Sequence, residues 1–470
     1  MNGPIPTTGQ SALYSGWGRR SPSAARSLRP HDVGQLDGVL SEDGPTVPGG
    51  PARSGVIARG RGRSYGDAAQ CGGGTVLDMA CFNDIGAIDP VSGLIHVGAG
   101  VTLHLLLEHV TPLGWFVPVS PGTREVTIGG AIAADIHGKN HHVDGAFCRH
   151  VARCTLVTPT GTFVVGPEDD PELFWATAGG MGLTGVITDA VVRLIPIETS
   201  WMAVETRRFD DLESVMAEMA STDSLFRYSV AWVDTLIGGR RMGRSVLTRG
   251  EHARLGALSS RQAGCSRQAP RRPRVHVPVQ APSGLLNRAT IAAFNEFWFR
   301  KAPRHREGQI LPATSFFHPL DGVADWNLLY GRQGFLQYQF CVGPTRSDVV
   351  PAALRLLRAS KVPTFLGVLK RFGPGDPGPL SFPLEGWTLA LDLPMGAADL
   401  RGALERLDDL VAEAGGRVYL AKDSRLSPRH FSAMYPRSDE FAAVKGRVDP
   451  TGNLQSDQSR RLGLTGHVAP

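Results

Sequence analysis

The stretch at 58–68 reads ARGRGRSYGDA and directly follows a short β-like run that begins at Val56. Closely spaced glycines let backbone N–H groups converge on an anion without side-chain obstruction, and arginines add charge-assisted donors for phosphate oxygens. A tight basic turn without a ligand is the alternative. The stretch predicts a phosphate-binding loop placed after a strand.

The sequence around this loop predicts a mixture of short strands and helices. Between residues 55 and 197, β-like runs alternate with glycine clusters. Leu103, Leu106, Leu107 and Val110 form a helical stripe that begins near Thr102, and a second helix is expected over 171–178, with proline in its first turn. Residues 199–418 alternate strands with amphipathic helices. We therefore predict the α+β class.

The composition is that of a folded soluble protein. The chain has 470 residues, of which 42% are hydrophobic and 20% charged, with a net charge of +5. It has no apolar run near the length of about 18 residues that suggests a membrane span, and residues 1–30 have no apolar signal-peptide core. Six scattered cysteines without a C-x-x-C pair predict reduced thiols. We expect a cytoplasmic or peripherally membrane-associated protein.

A second glycine-rich stretch, PGTREVTIGGAIAADIHGKNHH, occupies residues 121–142. Small residues at close intervals, followed by polar ones, favour a backbone pressed against a flat ligand. His137, His141 and His142 could be considered as metal ligands. No nearby cysteine or carboxylate pair completes a metal coordination shell, so we predict no metal.

A third glycine-rich stretch, GMGLTG at 180–185, matches the dinucleotide fingerprint G-x-G-x-x-G. That fingerprint requires a strand before it and a helix after it, so that the pyrophosphate meets a helix N-terminus. Here a helix-like segment precedes the glycines and a β-rich one follows. We therefore do not predict an NAD site.

An arginine-rich segment lies between residues 240 and 274, with Glu251 as its single acid. A solvated or disordered loop is one interpretation. A landing site for an anionic lipid surface or a phosphorylated substrate is another. Nucleic acid is not expected as a partner, because no aromatic residue lies between the arginines. These arginines are Arg240, Arg241, Arg244, Arg249, Arg254, Arg261, Arg267, Arg271, Arg272 and Arg274.

Sequence blocks spread over residues 12–465 resemble a known family. They are the loops at 59–67 and 121–142, VGAGV at 97–101, FHPL at 317–320, GFLQYQF at 334–340, KRFGP at 370–374, LSFP at 380–383 and AKDSR at 421–425. In these blocks the chain resembles the vanillyl-alcohol-oxidase-like (PCMH-type) FAD-binding family, and within it the polyprenylphosphoryl-ribose oxidases.

The resemblance implies a two-domain fold in which an inserted substrate domain, an antiparallel sheet flanked by helices, covers the cofactor. The expected divisions are a mobile N-terminal segment at 1–30, an FAD-binding domain at 31–198, a substrate domain at 199–418 containing an Arg/Pro-rich loop at 240–283, and a C-terminal segment at 419–470 that completes the FAD domain.

FAD is the cofactor that the resemblance implies. The first loop would hold the pyrophosphate, the second loop the adenine side and the ring, and two further residues would complete the pocket. The implied FAD-binding residues are Ala58, Arg59, Gly60, Arg61, Gly62, Arg63, Ser64, Tyr65, Gly66, Asp67, Ala68, Gly122, Thr127, Ile128, Gly129, Gly130, Ala134, Asp135, Ile136, His137, Ile187 and Tyr419. Arg63 stands where many relatives have a histidine bonded to the flavin, so noncovalent FAD is expected.

The implied reaction is oxidation of the 2'-hydroxyl of a polyprenylphosphoryl ribose to a keto sugar, the first half of an epimerisation that feeds cell-wall arabinan synthesis. Lys422 is the first candidate for the catalytic base, because burial beside a flavin would lower its pKa. A surface lysine paired with Asp423 is the alternative. Tyr65 is the second catalytic candidate.

The residues expected to contact the substrate come from several blocks. Gln337 and Gln339 share one face of a strand, where both could bind a polyol, and Lys139 and Lys370 would meet a phosphate or a flavin carbonyl. The expected substrate-binding residues are His137, Lys139, Gln337, Gln339, Lys370, Thr388, Ala390 and Lys422.

Three positions depart from the family pattern. Thr388 and Ala390 stand where relatives commonly have asparagine and cysteine, and Phe317 stands where many have tyrosine. A sugar, alditol or sugar-lactone oxidase acting on another glycosyl phosphate or a free polyol is therefore the alternative function. Since no NAD fingerprint occurs in the required context, a separate NAD(P)H-dependent short-chain reductase is expected to complete the epimerisation.

Overall fold

The computed structural model describes residues 10–41, 55–270, 275–277, 279–282, 287–397 and 399–465. The strands in these residues are β1 Ser11–Tyr14, β2 Ser23–Leu28, β3 Val56–Arg59, β4 Thr75–Asp78, β5 Ile85–Ile88, β6 Leu94–Gly98, β7 Trp115–Phe116, β8 Val151–Thr158, β9 Gly161–Val165, β10 Val186–Arg193, β11 Ile195–Pro196, β12 Trp201–Phe209, β13 Tyr228–Val233, β14 Ser245–His252, β15 Val275–His276, β16 His305–Pro312, β17 Val323–Ala324, β18 Phe335–Val342, β19 Gly367–Phe372, β20 Gly386–Pro394 and β21 Arg417–Val418.

The α-helices in the same residues are α1 Val33–Leu40, α2 Leu103–Val110, α3 Ile128–Ala133, α4 His141–Asp144, α5 Pro171–Thr177, α6 Leu212–Thr222, α7 Ser260–Ala263, α8 Arg288–Lys301, α9 Ala313–Phe317, α10 Val349–Ala359, α11 Leu400–Glu413, α12 Pro428–Met434, α13 Ser438–Val448 and α14 Asp457–Leu462.

Two sheets are built from the strands that precede residue 194. The four-stranded sheet has the order β1-β2-β4-β3, in which β3, β4 and β2 run parallel and β1 is antiparallel to β2. The five-stranded sheet has the order β5-β6-β10-β8-β9 and is antiparallel. Parallel β3 and β4 bring the first glycine-rich loop to the carboxyl end of β3.

An eight-stranded antiparallel sheet contains the strands that lie between residues 201 and 418. Its order is β16-β12-β14-β13-β19-β20-β18-β21. Helices α10 and α11 contact each other and bury apolar stripes that include Leu354 and Leu407. Strands β18, β19 and β20 each pair with a neighbour on both edges, which fixes the positions of the side chains that they carry.

Two short helices begin at threonine caps, and one of these, Thr127, lines the cleft described below. The Thr102 hydroxyl accepts a hydrogen bond from Leu105 N at 3.2 Å, and the Thr127 hydroxyl accepts one from Gly130 N at 3.3 Å. Such caps satisfy N–H groups that have no partner inside the first helical turn. The cap at Thr127 fixes the second glycine-rich loop where it enters α3.

Residues after β21 return to the N-terminal sheets. Val56 N donates to Asn453 O at 2.8 Å, and Gly72 N donates to Asp457 Oδ1 at 2.7 Å. Arg461 donates two hydrogen bonds to Asp67, at 2.9 and 2.8 Å, and a third to Asp423 at 2.8 Å. The C-terminal helices thus hold the first glycine-rich loop from behind.

The predicted α+β class is confirmed. The glycines at 180–185 do lie between a helix, α5, and a strand, β10, which is the reverse of the dinucleotide arrangement. The prediction of a mobile segment over 1–30 is wrong for β1 and β2, because β2 pairs with β4 and buries Ala25 and Leu28. Residues 1–9 lie outside the described residues.

The prediction of a loop over 240–283 is wrong for residues 245–252, which form β14 in the centre of the large sheet. Arg244 and Arg249 are buried and ion-paired, Arg244 with Asp234 and Arg249 with Glu205. The local sequence does not predict the burial of these two arginines, because their acidic partners lie on other elements. Arg271, Arg272 and Arg274 lie outside the described residues.

Among the described helices, none combines the length and the apolar character that crossing a membrane requires.

Candidate active site

A cleft lies between the N-terminal sheets and one face of the large sheet. Its walls come from the first loop, the second loop, the strands β18, β19 and β20, and the segment 419–422. The predicted site residues that line it are Ala58, Arg59, Gly60, Arg61, Gly62, Arg63, Ser64, Tyr65, Ala68, Gly122, Thr127, Gly129, Gly130, Ala134, Ile136, His137, Ile187, Gln337, Gln339, Lys370, Ala390, Tyr419 and Lys422.

The first loop lines this cleft with residues 58–65 and Ala68. None of the described residues accepts a hydrogen bond from the N–H groups of residues 61–64. The Arg63 guanidinium lies 3.9 Å from the ring centroid of Trp17, and its Nε is buried without a partner. Arg59 instead braces the loop, because it donates to Ala69 O and to Ser15 O, each at 2.8 Å. Arg59 thus holds the shape of the loop, and the amides of residues 61–64 could bind an anion.

Two glycines in the first loop are required by geometry. Gly62 has φ +60°, a left-handed conformation that residues with a Cβ seldom adopt. A Cβ at Gly66 would lie 1.9 Å from the carbonyl oxygen of Asp423, so the loop could not approach the C-terminal segment. The loop can therefore follow its path only with glycine at both positions.

One face of the large sheet places polar side chains opposite the loop. In the register of β18 and β20, Gln337 lies beside Asp392 and Gln339 lies beside Ala390. On the other side of β20, Lys370 of β19 lies beside Thr388. The period of two along each strand thus brings the predicted glutamines, Lys370 and Ala390 to the same surface.

Lys422 lies where this surface meets the loop. Its Nζ is 3.9 Å from the ring centroid of Tyr65, and Tyr65 N donates to Ala421 O at 2.9 Å. Burial lowers the pKa of Lys422 to about 8, although the negative charge of Asp392 opposes the shift. Burial raises the pKa of Tyr65 well above its usual value. Of the two catalytic candidates, Lys422 is the one whose proton affinity suits a base near neutral pH.

Asp392 is a functional candidate that the sequence analysis missed. It is fully buried, accepts a hydrogen bond from Tyr330 Oη at 3.2 Å and a second from Gln337 Nε2. Burial raises its pKa to about 6. The signal was present in the sequence, because Asp392 continues the period-two series of Thr388 and Ala390 along β20.

His137 joins the second loop to the large sheet. Its Nδ1 lies 3.1 Å from Lys370 Nζ, and its Nε2 lies 2.9 Å from the Gln339 side-chain amide. Burial and the charge of Lys370 hold the pKa of His137 well below its usual value, so the imidazole is neutral. Burial lowers the pKa of Lys370 to about 7. The site therefore contains two lysines of reduced pKa and a neutral histidine.

Two predicted substrate contacts lie outside the cleft lining. Lys139 Nζ donates to Phe316 O and lies 4.3 Å from the Phe316 ring centroid. Thr388 is buried, donates to Phe340 O at 2.9 Å and accepts from Gln339 Nε2 at 3.1 Å. In this structure Thr388 orients Gln339. Lys139 supports the second glycine-rich loop on the side away from the cleft.

Four predicted FAD contacts also lie behind the lining. Asp67 is paired with Arg461, Ile128 is buried in the core, and Gly66 packs on the backbone of Asp423. Asp135 is buried and accepts a hydrogen bond from Cys148 N at 3.1 Å. These residues shape the two loops whose other members face the cleft.

Comparison with known proteins places this geometry in a family. Residues 52–166 match the family described as an FAD binding domain. The decaprenylphosphoryl-beta-D-ribose oxidase of Mycolicibacterium smegmatis is 41% identical over 465 residues, which cover 98% of this chain and 99% of the relative. The chain belongs to the decaprenylphosphoryl-ribose oxidase family. It is an FAD-dependent oxidoreductase.

Two further relatives differ in how much of the chain they match. An uncharacterized protein of Streptomyces coelicolor is 42% identical over 77% of this chain and 100% of its own length. A putative D-arabinono-1,4-lactone oxidase of Neurospora crassa is 29% identical over only 31% of this chain and 26% of its own length. The match to the lactone oxidase thus covers less than a third of this chain, whereas the match to the ribose oxidase covers nearly all of it.

The residues of the cleft fit FAD. The unpartnered amides of residues 61–64 suit a pyrophosphate, since successive backbone N–H groups form anion-binding concavities. Gly122 has no atom within 4 Å of an added Cβ, which leaves room for a ligand at the second loop. His137 and Tyr419 both line the cleft, where their rings contact each other with centroids 5.4 Å apart. Both glycine-rich loops would thus contact the cofactor.

We predict that the purified protein binds FAD noncovalently. The family resemblance places Arg63 where many relatives have the histidine bonded to the flavin, and an arginine guanidinium does not form that bond. Acid precipitation should release all yellow colour into the supernatant. Flavin that stays on the denatured chain after washing would contradict the prediction.

Proposed function

We propose that this chain oxidises the 2'-hydroxyl of a polyprenylphosphoryl ribose to the corresponding keto sugar. The observation that supports this most directly is the cleft itself, in which Lys422, Lys370 and the two glutamines of β18 face a loop with free amides. The name of the Mycolicibacterium smegmatis relative, which matches the full sheet as well as the loops, supports the same substrate class.

Lys422 is the proposed base. A neutral Nζ can accept the proton of the sugar hydroxyl, and a pKa of about 8 leaves a useful fraction of that form near neutral pH. The face of the Tyr65 ring, 3.9 Å from Nζ, attracts the protonated ammonium. When bound, FAD supplies the acceptor for the hydride that leaves the sugar carbon.

The other polar groups of the cleft would orient the substrate. Gln337 and Gln339 offer amides to the sugar hydroxyls, while their bonds to Asp392 and Thr388 fix their rotamers. Lys370 would contact the phosphate, whose negative charge favours the protonated amine, and the neutral His137 ring lies 3.1 Å from its Nζ. Fixed donors reduce the entropic cost of binding a flexible glycosyl phosphate.

Two partners follow from this reaction. A keto sugar has to be reduced again to complete an epimerisation, so a separate NAD(P)H-dependent short-chain reductase is proposed to use the product. A polyprenyl substrate is held in a bilayer. We therefore also propose that the protein associates peripherally with an anionic membrane surface, on the cytoplasmic side or in another compartment.

Anaerobic bleaching of the flavin tests the proposed function. We expect a polyprenylphosphoryl ribose to reduce the flavin completely in a single turnover, because its phosphate and its ribose both have partners in the cleft. Free ribitol, xylitol and gulonolactone lack the phosphate and should reduce it far more slowly. Faster reduction by a free polyol or lactone, with peroxide formed in air, would contradict the proposal and favour the alditol or lactone oxidase.

A further inference from the structure

Helix α8 exposes an aromatic face that the site described above does not use. Phe294, Phe297 and Trp298 are 39%, 61% and 40% exposed. Together with Lys301 they follow the spacing i, i+3, i+4, i+7 and so share one side of the helix. The neighbouring side, with Ile291, Asn295 and Phe299, is buried against the domain. The exposed side is called the α8 face below.

The α8 face is a preformed surface. The rings of Phe294 and Trp298 stack with centroids 6.0 Å apart, and Lys301 Nζ lies 5.8 Å from the Phe297 ring and 5.9 Å from the Trp298 ring. Aromatic rings interleaved with a cation are typical of helices that lie in the interface of a bilayer.

Basic side chains beside the C-terminal end of α8 are not neutralised by acids. Arg241, Lys301 and Arg304 are exposed, and no carboxylate of the described residues lies within 4 Å of them. Arg241 reaches the buried side of α8, where its guanidinium is 5.8 Å from the Phe299 ring. These three cations, with the aromatic side chains next to them, complement an anionic surface rather than a neutral one.

The α8 face is continuous with the candidate active site. The ring of Phe294 lies 5.5 Å from that of Phe365, and Phe365 lies 5.9 Å from the ring of Tyr330, whose hydroxyl donates to Asp392. Leu366, which follows Phe365, lines the cleft, as does Trp326, 6.2 Å from Tyr330. An apolar track thus leads from the exposed rings to the cleft wall.

We propose that the α8 face docks on an anionic phospholipid bilayer. The three aromatic side chains enter the interface, the unpaired cations meet the lipid headgroups, and the track past Phe365 brings the bilayer next to the cleft. The link to catalysis rests on the proposed lipid-linked substrate, whereas the docking itself rests on the surface. The contribution of the arginine-rich segment is then limited to exposed members such as Arg241, since Arg244 and Arg249 are buried in ion pairs.

Co-sedimentation of the full-length, FAD-loaded protein with vesicles tests the docking surface. We expect binding to vesicles of phosphatidylglycerol and phosphatidylcholine that exceeds binding to phosphatidylcholine alone and weakens with salt. Replacing both Phe297 and Trp298 by serine should lower the association constant for the anionic vesicles. The expected loss is about tenfold or more for each side chain removed. Lys301→Glu should lower it about tenfold on the anionic vesicles and leave the neutral ones unaffected.

A double variant with Val91→Ser and Val164→Ser is the matched control. These valines are 93% and 57% exposed but lie on the five-stranded sheet and its turns, away from α8, so vesicle binding should not change. Unchanged binding of the Phe297/Trp298 variant would overturn the proposal. A dimer that this variant abolishes, with no vesicle binding by the wild type, would overturn it too and assign the face to a second copy of the chain.

Flavin reduction separates this proposal from the proposed function. The Phe297/Trp298 variant should reduce its flavin at the wild-type rate with a short-chain, water-soluble ribosyl phosphate, and more slowly than wild type with a polyprenyl substrate in vesicles. If no glycosyl phosphate reduces the flavin while vesicle binding still depends on α8, the proposed function fails and the docking surface stands.

Discussion

Lys422→Met is expected to slow anaerobic flavin reduction by about 10² to 10⁴, the usual contribution of a general base, while the flavin spectrum stays unchanged. The methionine keeps the length and apolar stem of the side chain beside Tyr65 but cannot accept a proton. In the wild type, the reduction rate should rise as the pH increases through the lysine's pKa of about 8 and level off above it, because only the neutral amine accepts the proton. The variant should lack this pH dependence.

Lys361→Met is the matched control for this substitution. Lys361 is exposed at the end of α10, so its replacement should leave flavin reduction at the wild-type rate. Loss of FAD or of folding in Lys422→Met would show a structural role for the residue. A wild-type rate would place the base elsewhere, and Tyr65→Phe would then be the next variant to measure.

Arg461→Ala is expected to lower the free energy of unfolding by about 3 to 5 kcal/mol, as breaking a largely buried ion pair usually does. The Arg461 side chain is only 24% exposed and holds Asp67 and Asp423, which would face each other without a cation after its removal. Because Asp67 belongs to the first glycine-rich loop, the variant should also release FAD at a lower temperature. Thermal melting followed by flavin fluorescence measures both effects.

Arg447→Ala provides the comparison for Arg461. Arg447 also lies in the C-terminal segment and pairs with Glu172, but both side chains are more than half exposed, at 56% and 62%. Exposed pairs contribute roughly 0 to 1 kcal/mol, so the melting temperature should hardly move. Equal losses in the two variants would mean that the Arg461 cluster does not anchor the loop.

Local sequence patterns predict the parts of this fold that depend on short-range chemistry. The leucine stripe of α2 and the position of Gln337 and Gln339 on one face of β18 appear in the structure as the sequence predicts. The glycine requirement of the first loop was visible in its spacing, although the reason at Gly66, close approach to Asp423, was not. The polar face of the cleft follows from strand periodicity once β18 and β20 are known to be neighbours.

Contacts between distant parts of the chain could not be predicted in the same way. Asp67 and Arg461 are 394 residues apart, and nothing in the local sequence of either residue indicates the other. Arg249 resembles its exposed neighbours in composition, yet its acidic partners lie on β12 and α6 and allow it to be buried. Lys139 was expected at the ligand, but packing against Phe316 turns it away.

Deuterium at the C2' position of the ribose gives the most direct test of the central claim, which is that hydride leaves this carbon within the cleft. Anaerobic flavin reduction by the polyprenylphosphoryl ribose should be slower with deuterium at C2' and unchanged with deuterium at C3'. Equal rates for C2' deuterium and hydrogen under single-turnover conditions, or a slower rate for C3' deuterium alone, would contradict the account.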